Sequence, residues 1–180
     1  MKGILFTQFL EMVEERYSPA IADRILLAAQ LPSGGAYTAV GTYDHGEIWS
    51  LVIELSRQIN IPVPDLFRTY GEYLFVHFVR IYPHCLGAAT STFDVLQGLN
   101  NVVHREVCRL YPDAELPRFD VVERTPSQMT LIYESARHFA DLAEGLIRAC
   151  ACHFGQVIAL TRESLGADGG SRVRFTLALR

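Results

Sequence analysis

Over the first two thirds of the chain, apolar residues recur at three- and four-residue steps, the period of an amphipathic helix. Phe6, Phe9, Leu10, Val13 and Tyr17 keep that spacing in "MKGILFTQFLEMVEERY" and predict a first helix. In "SPAIADRILLAAQ", Ser18 offers a side-chain oxygen to a helix N-terminus and Pro19 a pre-set φ for its first residue, so a second helix starts there. "HGEIWSLVIELSRQIN" carries a third stripe from Ile48 to Ile59. Pro62 and Pro64 break the run, and Asp65 stands where it can cap the aromatic-rich "LFRTYGEYLFVHFVRIYP", which Pro83 ends. A further helix is expected over residues 91–111, closed by Pro112.

The period then shortens. "RFDVVER" and "MTLIYES" are short and rich in β-branched residues, and "TPSQ" between them has proline at its second position, the pattern of a hairpin. "ARHFADLAEGLIRACACHF" returns to helical spacing, and "QVIALTRE" and "RVRFTLAL" across "SLGADGGS" predict a second hairpin. Helices followed by strand-strand-helix-strand-strand predict an α+β fold, with an N-terminal helical layer and a C-terminal antiparallel sheet. A length of 180 residues suits one domain with a substantial core.

Composition removes several function classes. The net charge of −4 and a single lysine, Lys2, leave no clustered cations to track phosphates, so nucleic acid is a poor partner. No apolar run approaches the roughly 18 residues of a membrane span, and the N-terminal segment interleaves charge with its apolar positions instead of forming a signal-peptide core. No membrane association and a cytoplasmic location are expected, with Cys85, Cys108, Cys150 and Cys152 reduced.

Two features carry candidate chemistry. In "LNNVVHREVCRLYP", Leu96, Val103 and Val107 centre the apolar stripe and His104 sits at its edge, beside Phe93 and Tyr111. Such a histidine is either a core-edge residue with one nitrogen bonded to a carbonyl or water, or a metal ligand. In "YESAR", Tyr133, Ser135 and Arg137 alternate at a predicted strand end, continuing the line of Met129 and Leu131 on one face. Two hydroxyls and a guanidinium in a row are either an exposed polar strand end or a clamp for the carboxylates of an apolar ligand. "CACH" is a weaker candidate, because cysteines two apart on a helix point about 200° from each other and cannot grip one ion together. Buried structural thiols are the simpler reading, with a redox role left open.

A ligating histidine, an aromatic interior and a carboxylate clamp are the parts of a haem site. On these residues the chain resembles the haem nitric oxide/oxygen-binding (H-NOX) domains of bacteria and of soluble guanylate cyclase. The resemblance spans the whole chain: the opening "MKGILF", "YGEYLF", His104 followed by Tyr111 and Pro112, then Pro117, and Tyr133-x-Ser135-x-Arg137. It implies one H-NOX domain over residues 1–180, with a helical part over about 1–62 and a ligating part over about 63–180. It implies haem b with His104 on the iron, the propionates on Tyr133, Ser135 and Arg137, Pro117 pressing on the macrocycle, and Leu5, Phe78 and Leu146 in the wall.

The resemblance also bears on the gas. Oxygen-binding members place a tyrosine in the helix after the clamp arginine, and matching on Arg137 and Gly145 puts Leu142 there, or Ala143 one residue along. Neither donates a hydrogen bond, which leaves Tyr73 and His77 as the donors able to reach inward. The implied function is a sensor that binds nitric oxide and carbon monoxide without stable oxygen binding, and signals by releasing His104 and shifting its helix. With 180 residues, the implied partner is a histidine kinase or a cyclic-di-GMP enzyme in trans. No acid–base pair of the peroxidase kind stands in the distal match, so the chain is not expected to be an enzyme. Alternatives are a redox- or thiol-responsive haem sensor and a haem-free module for an apolar carboxylate.

Overall fold

The computed structural model describes residues 1–166 and 170–180. Four helices open the chain: α1 (Ile4–Arg16), α2 (Pro19–Ala28), α3 (Gly46–Ile59) and α4 (Val63–Ile81). Ser18 caps α2 by accepting from the Ile21 N–H at 3.3 Å. Asp65 does not cap α4. The helix begins at Val63, where the missing N–H of Pro64 would have been unpaired anyway, and Asp65 pairs with Arg68 one turn on. The inward faces of α1 to α4 form one apolar cluster that includes Phe6, Phe9, Met12, Leu51, Leu66 and Tyr70.

The helix expected over residues 91–111 is interrupted. It runs as α5 (Thr92–Gly98), a π-helical stretch Leu99–Val103, and α6 (His104–Leu110). Asn100 explains the widening: its side-chain amide donates to the Phe119 carbonyl and its oxygen accepts from the Phe119 N–H at 3.2 Å, so the stretch is hooked to a neighbouring strand.

The sheet contains β1 (Arg118–Arg124), β2 (Gln128–Glu134), β3 (Ile158–Ser164) and β4 (Arg172–Leu179), antiparallel throughout and ordered β1-β2-β4-β3. Residues 167–169 of the predicted turn "SLGADGGS" lie outside the described residues. Met129, Leu131 and Tyr133 line the buried face of β2 and meet Phe175 and Leu177 of β4.

Helix α7 (Ala140–His153) joins the two layers, because its faces serve different cores. Ala143 and Ile147 pack into the sheet cluster, whereas Leu142 and Leu146 pack against the helical one. Its crossing with α4 is backbone on backbone: a Cβ on Gly71 would lie 2.3 Å from the Leu142 carbonyl oxygen, and one on Gly145 2.1 Å from that of Arg68. Arg68 reinforces the crossing with a 2.7 Å ion pair to Asp141. Among the described residues no helix is long and apolar enough to cross a membrane.

Candidate functional site

His104 opens α6 immediately after the π-helical stretch, half-buried, with no hydrogen bond or ion pair to its ring among the described residues. Its ring neighbour is Phe119, centroids 6.1 Å apart. Burial pulls its pKa down to about 4, so the imidazole is neutral near pH 7 and keeps a free lone pair. The edge position read from the sequence is thus an environment that strips water from the ring without giving it a partner.

From His104 the rings continue inward. Phe119 lies 5.2 Å from Tyr133, and Tyr133 lies 6.2 Å from Phe175. The Tyr133 hydroxyl is buried and makes no well-aligned hydrogen bond among the described residues; burial raises its pKa, and the nearby Ser135 hydroxyl and Phe139 backbone offset part of the rise. Two polar groups without a well-aligned partner therefore stand at either side of one phenylalanine, in an interior where an unsatisfied polar atom is costly.

Tyr133 lies on the strand as expected, but Ser135 and Arg137 do not. β2 ends at Glu134, after which the Ser135 hydroxyl accepts from the Arg137 N–H at 3.2 Å and His138 takes a left-handed φ of 57°. This serine turn redirects the chain into α7, so Tyr133, Ser135 and Arg137 are brought together through a turn and not along a strand face. The Arg137 guanidinium gives two hydrogen bonds to Glu115, 2.9 Å to the carbonyl and 2.7 Å to the carboxylate. With five N–H donors, it has others left for a ligand carboxylate.

Leu5, Phe78, Leu142 and Leu146 all keep partial exposure at the border of the helical cluster. Leu146 also belongs to a smaller cluster with Phe75, Val95 and Val103, which carries the wall to the residue before His104. Pro117 is half-buried in the loop before β1. The Tyr70 hydroxyl donates to the Leu5 carbonyl and fixes the start of α1 against α4.

The alternative donors stand on α4 beside acidic residues of α1, and the buried Nδ1 of His77 has no hydrogen-bond partner among the described residues. Tyr73 is pushed up to about 12 by burial and by its hydrogen bond to Glu15 of α1, and burial lowers the pKa of His77, which lies among Glu11, Arg80 and Glu15. In the "CACH" segment, Cys150 is buried, its thiol raised to about 12, while Cys152 is exposed.

Sequence reasoning missed Asn100, Glu115 and Tyr70. A pair of asparagines inside an apolar helical stripe was the available sign for the first, since asparagine competes for backbone hydrogen bonds. Tyr70 opens the quoted "YGEYLF" but had no role assigned to it, and nothing in the sequence marked Glu115.

Comparison with known proteins gives the family. The family model for haem-NO-binding proteins matches residues 2–162. The chain belongs to the H-NOX family. H-NOX domains bind haem and act as gas sensors. Their fold is this one: an H-NOX protein from K. algicida, in the Fe(II) unliganded state, is 35% identical and superposes with a TM-score of 0.94 over 100% of this chain and 97% of its own. An H-NOX protein from S. oneidensis in the Fe(II)NO ligation state is 25% identical, with a TM-score of 0.90 over 100% and 99%. The H-NOX from Shewanella woodyi, IWP-051-bound and in the Fe(II)CO ligation state, is 35% identical, with a TM-score of 0.82 over 99% and 94%.

The residues present fit the group that H-NOX domains bind. A neutral, partnerless imidazole suits an iron ligand, a buried hydroxyl without a well-aligned partner and a guanidinium with spare donors suit carboxylates, and half-exposed apolar side chains suit a porphyrin face.

Proposed function

We propose that the chain is a non-catalytic cytoplasmic sensor of nitric oxide, with His104 as iron ligand and Tyr133, Ser135 and Arg137 as propionate clamp. Leu5, Phe78, Leu142 and Leu146 form the apolar wall, and Pro117 presses on the macrocycle. The helical part, about residues 1–62, and the ligating part, about 63–180, act as one domain. The observation that carries the reading is the His104 ring: neutral, shielded from water and without a protein partner. The family resemblance implies haem b, and "CACH", with one residue too few between its cysteines for Cys-x-x-Cys-His, offers no c-type attachment site. When bound, haem would supply a ferrous iron able to take nitric oxide or carbon monoxide, with His104 as its protein ligand.

The rest falls to the chain's own side chains. Leu142 offers hydrocarbon where oxygen retention needs a donor, and Tyr73 and His77 stand beside Glu11 and Glu15 of α1. Oxygen is therefore not retained. A visible spectrum of the reduced protein after exchange into air tests this: slow oxidation is expected, and a persistent shifted spectrum would overturn the selectivity. Leu142→Tyr is expected to gain such a spectrum.

With haem bound, His104 would hold the iron, and its release on nitric oxide binding would leave α6 free to move against the sheet, a two-position element biased by ligand contact. A histidine kinase or cyclic-di-GMP enzyme in trans reads that motion. Electron paramagnetic resonance at stoichiometric nitric oxide is the check, and retention of the histidine would refute the release.

Tyr133→Phe separates ligand binding from folding. Removing a buried hydroxyl without a well-aligned partner is expected to leave the haem-free chain equally stable, or more stable by up to about 1 kcal/mol. The same variant should lose haem to an apo-globin acceptor several times faster. A denaturant titration that shows clear destabilisation would mean the hydroxyl has a structural partner.

A further inference from the structure

The loop between α6 and β1 is gripped from two sides by cations that belong to distant parts of the chain. The Lys2 ammonium lies 2.7 Å from one Asp113 carboxylate oxygen and 2.9 Å from the other. Thr42 closes the triangle, accepting from Lys2 at 2.9 Å and donating to Asp113 at 3.2 Å. Lys2 is no loose surface arm: its side chain is 13% exposed, its backbone bridges Thr42, and its ammonium stands 5.7 Å over the Tyr111 ring. Two residues beyond Asp113, Glu115 takes both hydrogen bonds from Arg137.

These contacts matter because α6 has little else to hold it. None of its seven residues is buried, so side-chain packing gives it weak purchase on the core. Asn100 hooks the chain before it to β1. At the other end the Tyr111 N–H closes the helix on Val107, and the charged grips follow at once. A helix this short moves as a rod, and whatever fixes its end fixes the ring at its start.

We propose that Asp113 and Glu115 are positioning residues for His104: held by Lys2 and Arg137, they anchor the end of α6 and set where the imidazole stands. Arg137 then serves two carboxylates, that of Glu115 and that of the ligand, and links the clamp to the histidine helix. Lys2, the chain's single lysine, acts on the site from the far end of the sequence. The inference rests on His104 as the iron ligand.

The test compares the haem-loaded wild type with Lys2→Ala, Asp113→Asn, Glu115→Gln and the charge swap Lys2→Asp with Asp113→Lys. Hydrogen exchange of the amides of residues 105–110 is read beside the iron–histidine stretching band of the reduced protein. Each single variant should exchange about two- to fivefold faster in α6, the range of one surface ion pair, with α1 to α3 unchanged. The stretching band should shift in the single variants and return in the swap. Salt at about 0.5 M should move the wild type toward Asp113→Asn and move that variant less, because only its Arg137–Glu115 pair is left to screen. Wild-type exchange and an unshifted band in the single variants would overturn the proposal, as would a swap that restores neither. The functional reading fails separately, by the absence of a Soret band in the wild type, and the exchange rates then still measure the grip on α6.

Discussion

His104→Gly is expected to purify without the Soret band of the wild type and to regain it when imidazole is supplied. The reason is the cavity that the ring leaves. The apolar wall, Tyr133 and Arg137 remain, so the site still holds a porphyrin face and its carboxylates, while the bond to iron is gone. Substitutions that merely support a metal ligand weaken binding by about 10–100-fold, and loss of the ligand itself should exceed that range. Free imidazole fits the vacated space and restores the bond without a tether to α6. His104→Ala fills part of the space and should respond less to imidazole. Haem titration followed at the Soret maximum provides the measurement. An unchanged band in His104→Ala would remove this histidine from the metal, and an absent band in the wild type would leave a haem-free module for an apolar carboxylate as the remaining reading.

The second large effect is structural. Gly145→Ala should destabilise the fold by about 2–4 kcal/mol, although alanine gains about 1 kcal/mol over glycine in helix propensity. The new methyl would stand 2.1 Å from the Arg68 carbonyl oxygen, and a backbone atom cannot rotate aside as a side chain can. α4 and α7 must part, which opens the Arg68–Asp141 pair and moves Leu142 and Leu146 away from the helical cluster. For a chain of this length the melting temperature should fall by about 5–15 °C, with a changed haem spectrum wherever haem is retained. Gly98→Ala gives the contrast. Its Cβ would meet Val102 at 3.4 Å, an ordinary contact, so propensity prevails and the variant should be stabilised by up to about 1 kcal/mol. Thermal unfolding followed by circular dichroism measures both, and a Gly145→Ala melt within about 2 °C of the wild type would show that the crossing is not tight.

Much of the fold was legible because its signals are local. The serine–proline start of α2, the stripe of α3 and the proline turn between β1 and β2 each depend on a few neighbouring residues and folded as read. Legibility failed where a distant group competes for a backbone or side-chain partner. Asp65 turned to Arg68, Asn100 widened a helix in order to reach Phe119, and a serine turn ended β2 before the alternation could reach Ser135 and Arg137.

Element types, their order, and the residue types offered to the site were legible from the chain alone: one histidine at the edge of an apolar stripe, a Tyr-x-Ser-x-Arg signature, and a leucine where the family resemblance puts a donor. Period and turn chemistry are properties of short windows, so they survive without three-dimensional context. It took the packing of distant segments to leave His104 without a partner among the described residues, to join its ring to Tyr133 through Phe119, to set Tyr73 beside Glu15, and to close Lys2 and Arg137 on the loop behind α6. Those facts depend on which surfaces meet across 14 to 111 residues of chain, and on how much water the meeting excludes.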